Sequence, residues 1–220
     1  MTNFHKEADM ELNEPNIRTG HPPHSIPYKK KGLLPFRILL KVTLFTVIFI
    51  LSFHLPNFTP GFDSRKQTIQ EILSVLERHQ TGFANVTKEE LAEVIYEEAT
   101  RYNHDPKFIL ALIAIESEFW NWAVSEKGAK GLMQIMPYVA QSLAQEMGIE
   151  WMGDRTLFNP FLNIRMGIYY LSQLILDFDD LGLAMTAYNY GPTYVKGLIE
   201  RKERIPFNYY RKLLTVYQNL

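Results

Sequence analysis

The sequence contains no cysteine among its 220 residues. This absence excludes a disulfide framework, thiolate zinc sites, iron–sulfur clusters and a cysteine nucleophile. Histidine is also scarce, with six residues scattered along the chain. Because His21 and His24 lie in a proline-rich tract, we interpret them as incidental rather than as metal ligands.

A strong net charge is likewise missing, since 23 Lys and Arg stand against 24 Asp and Glu. Seven of the basic and four of the acidic residues lie in residues 1–41, so the rest of the chain is acidic. An acidic main body argues against nucleic acid as the principal partner. The hydrophobic share of 46% and the charged share of 21% are those of a folded protein.

One long apolar run lies near the N-terminus. Residues 38–55 read ILLKVTLFTVIFILSFHL, close to the roughly 20 residues that cross a membrane. Basic residues at 29–31 precede this run, and none follows Lys41 until Arg65. The positive-inside rule then predicts a disordered cytoplasmic head over 1–37, a single transmembrane helix over 38–55 and an exported body. A cleaved signal peptide and a buried core helix are the two alternatives.

Helical periodicity prevails after this run, and no convincing alternating strand appears. We expect a linker and an amphipathic helix over 56–85. Thr87 and Glu90 have the spacing of a capping box, while Asp105 and Pro106 suit the start of the next helix. Further helices are expected over 138–147, 163–177, 181–188, 192–200 and 208–218. The prediction is an all-α domain over 86–220.

A carboxylate ends the most apolar of these helices. Residues 108–115 are eight consecutive apolar residues, a pattern typical of a buried helix, and Glu116 follows them directly. Glu116 shares a helix side with Leu112 and Ile113, so its carboxyl is expected beside the core. Burial raises the pKa of a carboxylic acid and suits it to protonate a leaving oxygen. The alternative is a solvated glutamate at an exposed helix end.

Four segments around this glutamate form a recognisable series. Residues 105–119, 125–137, 163–174 and 187–191 read DPKFILALIAIESEF, SEKGAKGLMQIMP, NIRMGIYYLSQL and AYNYG. In this order they resemble the catalytic domain of soluble lytic transglycosylases, the bacterial peptidoglycan lyases of glycoside hydrolase family 23. The resemblance covers about residues 86–220 and implies a lysozyme-like helical globular fold.

The resemblance implies that Glu116 is the sole catalytic acid and base, without a metal or another cofactor. Glu116 would protonate the glycosidic oxygen between N-acetylmuramic acid and N-acetylglucosamine, then deprotonate the muramoyl O6 hydroxyl, which closes a 1,6-anhydro ring. An ordinary glycosidase uses two carboxyls. Glu118 faces away from Glu116 on the helix. The residues that remain as candidates for a second catalytic carboxyl are Asp154, Asp177, Asp179 and Asp180.

The resemblance also implies a groove that binds the glycan strand. The substrate-binding residues that it indicates are Ser117, Gln134, Met136, Tyr188, Asn189 and Tyr209. Gly128 and Gly131 permit a tight turn ahead of Gln134. Trp120 and Trp122 follow the acid, and for them stacking on sugar and packing in the protein remain equally open.

The sequence departs from the family pattern at one place, and two other functions are alternatives to the lyase. Ile205-Pro206 runs almost directly into Tyr209, so the Glu-Thr pair that family members carry there is missing. The rivals are a goose-type hydrolytic muramidase and a non-catalytic, membrane-tethered protein that binds peptidoglycan. The expected location is the bacterial inner membrane, with the domain of residues 86–220 on the outer side and peptidoglycan strands as its partner.

Overall fold

The computed structural model describes residues 34–54, 60–83 and 85–220. These residues contain ten helices and no strand longer than an isolated bridge. The all-α prediction is therefore confirmed for the described residues. The helices are α1 Leu34–His54, α2 Pro60–Glu77, α3 Lys88–Arg101, α4 Pro106–Ser117, α5 Pro137–Glu146, α6 Asp154–Leu157, α7 Pro160–Phe178, α8 Leu181–Tyr190, α9 Pro192–Glu200 and α10 Asn208–Asn219.

The first of two compact units covers Met1–Phe58 and contains α1. The side chains of residues 38–49 are exposed. No helix among the described residues is both long enough and apolar enough to cross a membrane, so the prediction of a span over 38–55 finds no support there. Residues 1–33, most of the predicted cytoplasmic head, lie outside the described residues.

The second unit covers Thr59–Leu220. It includes α2, which the sequence assigned to a linker and amphipathic helix ahead of residue 86. Ile72, Val75 and Leu76 of α2 are buried and belong to the same hydrophobic cluster as the rest of the unit. The helical stripe predicted from the spacing therefore packs on the core of the unit.

Two helix starts agree with the signals in the sequence. At α3 the Glu90 amide donates to Thr87 Oγ1 at 3.1 Å and the Thr87 amide donates to Glu90 Oε2 at 2.9 Å, which confirms the capping box. At α4 the Lys107 amide donates to Asp105 Oδ1 at 2.9 Å, and Pro106 takes the first helical position. The second of these caps sets where α4, the helix that carries Glu116, begins.

Helix α4 runs through the centre of the second unit. Its residues 108–113 are all buried, Ala114 and Ile115 at the end of the apolar run are half-buried, and α2, α3 and α10 pack against the helix. The helix ends at Ser117 and is capped by Glu118, whose φ of 50° is left-handed. Phe119 follows with a φ of 65°, and its ring is completely buried. The chain turns sharply there and enters the loop of residues 119–136.

The side chain of Asn163, in α7, holds this loop in place through hydrogen bonds to its backbone. Its buried side chain donates to the carbonyls of Lys130 at 3.0 Å and Leu157 at 2.9 Å, and it accepts from the Met133 amide at 2.8 Å. Gly131 lies so close that a Cβ there would be 2.3 Å from Asn163 Nδ2. One amide side chain therefore bonds to two backbone groups of the irregular loop and to the carbonyl at the end of α6.

Candidate active site

Glu116 lies in the last turn of α4 with its carboxyl half-buried. Leu112 and Ile113, on the same side of the helix, are completely buried or nearly so. The hydroxyl of Tyr209, at the start of α10, donates a hydrogen bond to Glu116 Oε1. The contact joins residues that are 93 positions apart, so the docking of α10 on α4 completes the surroundings of the acid.

Burial raises the pKa of Glu116 from 4.5 to about 7. The hydrogen bond from Tyr209 and the positive charge of Lys212 each lower this pKa and so offset part of the burial effect. A carboxyl with a pKa near 7 is present in both protonated and ionised forms at neutral pH. It can therefore donate a proton in one step and accept one in the next.

Tyr188 of α8 closes the buried side of the site. Its hydroxyl donates to the Met133 carbonyl at 2.8 Å, and its ring lies 5.5 Å from that of Tyr170. Burial, and then the charge of Glu116, raises the pKa of Tyr188 well above its usual value. The phenol thus stays neutral and holds the loop against α8.

A cleft of about 500 Å³ opens over the Glu116 carboxyl. Its walls come from the loop before α5, the first turn of α5, the middle of α7 and the end of α8. The lining residues are Glu116, Ser125, Glu126, Lys127, Ala129, Gln134, Ile135, Met136, Tyr138, Val139, Tyr170, Tyr188, Asn189, Tyr190 and Gly191. Besides Glu116, the cleft therefore combines hydroxyls, amides, two charged side chains and several aromatic rings.

Four of the six predicted substrate-binding residues line this cleft with Glu116: Gln134, Met136, Tyr188 and Asn189. Gln134 has a left-handed φ of 48°, and its Nε2 donates to the carbonyls of Ala123 at 3.1 Å and Gly131 at 3.0 Å. These bonds fix the orientation of its amide. Tyr209 contacts the Glu116 carboxyl without lining the cleft.

Ser117 lies away from the cleft. Its side chain is buried, and its hydroxyl bonds to the carbonyls of Leu132 at 2.8 Å and Ile113 at 3.2 Å. The serine therefore ties the end of α4 to the loop that carries Gln134. Trp120 and Trp122 do not line the cleft either.

The four aspartates that the sequence left as candidates for a second catalytic carboxyl lie outside the cleft. Asp154 pairs with Lys130, Asp177 pairs with Lys196, Asp180 accepts from the Leu183 amide at the start of α8, and Asp179 ends α7. None of them lines the cleft.

Glu126 and Lys127 do line the cleft, and sequence reasoning missed them. Both belong to the segment 125–137 that carries the family resemblance, and this membership was the one sign in the sequence that they could lie near the site. The exposed ring of Tyr138 and the half-buried ring of Tyr170 were missed as well, since helix periodicity does not show which residues face a cleft.

Comparison with known proteins places residues 93–210 in the family described as the transglycosylase SLT domain. One relative is the membrane-bound lytic murein transglycosylase C of Actinobacillus pleuropneumoniae, which is 32% identical over 112 residues, or 50% of this chain and 31% of that protein. Another is the endo-type membrane-bound lytic murein transglycosylase A of Klebsiella pneumoniae, 45% identical over 74 residues, or 32% of this chain and 36% of that protein. The matched stretches thus span about a third of the relatives' length.

Two solved structures also match parts of this chain. The lytic transglycosylase Slt of Pseudomonas aeruginosa matches 72% of this chain and 26% of its own, with a TM-score of 0.48 and 26% identity. The 70-kDa soluble lytic transglycosylase of Escherichia coli matches 59% of this chain and 23% of its own, with a TM-score of 0.48 and 24% identity. Because the family model covers more than half of the 220 residues, this chain belongs to the transglycosylase SLT domain family.

Proposed function

We propose that this protein is a lytic transglycosylase with a lysozyme-like catalytic domain over residues 86–220. Its substrate is the β-1,4 bond between N-acetylmuramic acid and N-acetylglucosamine in peptidoglycan. The observation that carries the proposal is the Glu116 carboxyl, which has a pKa of about 7 and lies at the wall of a cleft lined by hydroxyls, amides and aromatic rings. Family membership and the names of the relatives support it.

The reaction begins with protonated Glu116. It donates its proton to the glycosidic oxygen as the bond from that oxygen to C1 of muramic acid breaks, and the N-acetyl oxygen of the same sugar bonds to C1. The carboxylate of Glu116 then removes the proton of the O6 hydroxyl while O6 attacks C1 and displaces the N-acetyl oxygen. The anhydro ring closes, Glu116 regains its proton, and no water is consumed.

The surrounding residues hold substrate and acid in place. Gln134, Met136 and Asn189 contact the sugar and its acetamide, whereas Tyr188, held by Met133, forms the floor beside the acetamide. Tyr209 orients the carboxyl through its hydrogen bond. For Ser117 we propose a positioning role, because its hydroxyl bonds to backbone carbonyls on both α4 and the loop.

Hydrolysis by a goose-type muramidase is the second candidate, and one observation favours it. Glu126 lines the same cleft as Glu116, so a second carboxyl is present that could orient a water molecule. The products separate the two reactions, because hydrolysis leaves a reducing muramic acid end and the lyase leaves an anhydro end.

For the location we propose the outer face of the bacterial inner membrane, with residues 38–55 as a single-pass anchor and residues 1–37 in the cytoplasm. The apolar run, the basic residues before it and the relatives named as membrane-bound support this arrangement. Extraction of cell membranes with alkaline carbonate tests it: an anchored chain stays in the pellet, and release into the supernatant would refute the anchor.

The test of the function is incubation of the full chain and its Glu116→Gln variant with purified peptidoglycan sacculi. We expect anhydro-muramoyl ends from the parent, detected by mass spectrometry, and about 100- to 10,000-fold slower release from the variant, because Gln keeps the shape but carries no acidic proton. Reducing ends would favour the muramidase. A well-folded parent that releases nothing would favour the non-catalytic binding protein.

A further inference from the structure

A second cavity of about 400 Å³ lies beside α4. The residues that line it are Arg78, His79, Gln80, Ala114, Ser117, Glu118 and Trp120, and none of them lines the cleft of Glu116. Ala114 and Ser117 are three positions apart and share a helix face, whereas Glu116 is rotated by about 100° from Ser117 and about 160° from Ala114. The two cavities therefore lie on different sides of α4.

Two indole rings mark this second side. Trp120 is 43% exposed and Trp122 is 47% exposed. Trp122 Nε1 donates to the Gly82 carbonyl at 2.7 Å, and a Cβ on Gly82 would lie 2.8 Å from Trp120 and 2.9 Å from Trp122. Both rings thus rest on the backbone after α2 and still offer nearly half of their surface to a ligand. Such fixed rings lose little conformational freedom on binding.

The backbone just before Trp120 turns through two strained residues, and this turn positions the ring. Glu118 and Phe119 are consecutive non-glycine residues with left-handed φ, and Phe119 is anchored by complete burial and by His79, whose ring centroid is 4.5 Å away. This turn brings Trp120 next to the end of α2. Strained positions of this kind cluster at sites that bind ligands.

The polar groups around Trp120 suit a sugar that carries acid groups. Arg78 and Gln80 are exposed at the rim and offer a guanidinium and an amide, and Glu118 offers a carboxylate that accepts from hydroxyls. Lys88 adds a second positive charge nearby, since its Nζ donates to the His79 carbonyl at 2.8 Å. An aromatic ring with planar polar side chains recognises the apolar face and the hydroxyls of a sugar.

We propose that this cavity, which we call the Trp120 site, is a second glycan-binding site that holds a strand of N-acetylated, carboxylate-bearing amino sugars away from the reacting bond. Trp120 stacks on one sugar, and Arg78 and Gln80 bind its polar substituents. The identification of the strand as peptidoglycan rests on the proposed function. The site would keep the enzyme on the wall polymer while the cleft of Glu116 releases one product and engages the next bond.

The test measures retention of the full chain on purified, protein-free sacculi by co-sedimentation, with Glu116→Gln present throughout so that nothing is cleaved. In this background we expect Trp120→Ala to weaken retention about five- to tenfold, the loss of one stacking contact. The double substitution Arg78→Ala and Gln80→Ala, made at exposed positions with little risk to folding, is expected to weaken it about threefold. Leu176→Ala is the matched control, because Leu176 is an apolar side chain, 83% exposed, outside both cavities.

The outcomes separate this inference from the proposed function. Parental retention of both the Trp120 variant and the double variant would overturn the Trp120 site, even if the parent with intact Glu116 releases anhydro ends. Retention that depends on Trp120 and on Arg78 with Gln80, from a chain whose parent releases no product, would leave the site standing and refute the lyase. A drop with Leu176→Ala equal to that with Trp120→Ala would also overturn the site, since the loss would then be unspecific.

Discussion

The protonation of a single side chain, Glu116, sets the pH range in which the proposed chemistry operates. The first step needs the protonated acid, so kcat/KM should stay level at low pH and fall as the pH rises through about 7. Tyr209→Phe removes the hydrogen bond that lowers this pKa, so the pKa rises further and the alkaline limb moves to higher pH. The measurement is release of muropeptides from sacculi between pH 4.5 and 9.

Tyr217→Phe is the control for this prediction. Tyr217 lies on the same helix α10, but its hydroxyl bonds to Asp105 rather than to Glu116. Its loss should leave the alkaline limb where it is. An unmoved limb in Tyr209→Phe, or equal shifts in both variants, would contradict the assignment of this limb to Glu116.

The same burial makes Glu116 a pH-dependent cost to stability. Between pH 4.5 and about 7 the folded state binds a proton that the unfolded state has released, so this group lowers stability as the pH rises and the loss is complete above 7. Glu116→Gln removes the cost and should raise the free energy of unfolding by about 1–3 kcal/mol at pH 8, with a smaller gain at pH 4.5. Urea unfolding at the two pH values measures this. A gain that does not change with pH would contradict the raised pKa.

The sequence predicted most about a side chain where its surroundings come from neighbours on the same helix. The apolar run ahead of Glu116 predicted a carboxyl beside the core, and the structure places it there. The role of Ser117 was harder to foresee, because its hydroxyl partner, the Leu132 carbonyl, lies 15 positions away in an irregular loop. The catalytic and binding roles of all these residues remain predictions.

Among the elements, the loop of residues 119–136 depends on its glycines. Gly131 has a φ of 82°, and a Cβ there would lie 2.3 Å from Asn163 Nδ2 and 2.5 Å from the Leu157 carbonyl. Gly131→Ala should therefore lower the free energy of unfolding by about 3 kcal/mol or more and displace the Gln134 side of the cleft. Thermal unfolding together with activity on sacculi measures both effects.

Gly128 provides the comparison, because it shares the left-handed backbone with a φ of 88° but has nothing within 4 Å of a Cβ. Gly128→Ala should cost only the backbone strain, about 1 kcal/mol. Equal costs at the two positions would show that the contact with Asn163 contributes nothing.

The helices could be predicted from the sequence because their caps and apolar stripes are local signals. Nine of the described helices had at least a partial counterpart among the expected segments, whereas the short α6, Asp154–Leu157, was missed because four residues are too few to show a helical period. The loop 119–136 could not be predicted either. Its shape depends on Asn163, which lies in a helix more than 25 positions further along the chain.

For the molecule as a whole, the extent of the folded unit can be tested by truncation. Ile72, Val75 and Leu76 of α2 are buried in the same core as α4. A fragment of residues 86–220 should therefore be less stable than a fragment of residues 59–220 by about 4 kcal/mol or more, the burial of three apolar side chains. Urea denaturation of both fragments measures the difference, and coincident midpoints would show that α2 is dispensable.

The sequence predicted a boundary at residue 86 because the family resemblance begins there. Nothing in the spacing of Ile69, Ile72, Leu73 and Leu76 says which surface the stripe covers. An amphipathic helix can pack on its own domain, on a partner or on a membrane, so the pattern establishes the helix and leaves its contact surface open.

The order of synthesis decides when the hydrogen bond between Tyr209 and Glu116 can form. A ribosome makes the chain from its N-terminus, so the acid exists long before the hydroxyl that orients it, and α10 is the last described helix to appear. Until α10 docks, the carboxyl lacks the neighbour that tempers its pKa. A nascent chain in which α10 has not yet docked therefore lacks the hydrogen bond to Glu116, and the proposed lyase chemistry has to wait for this helix.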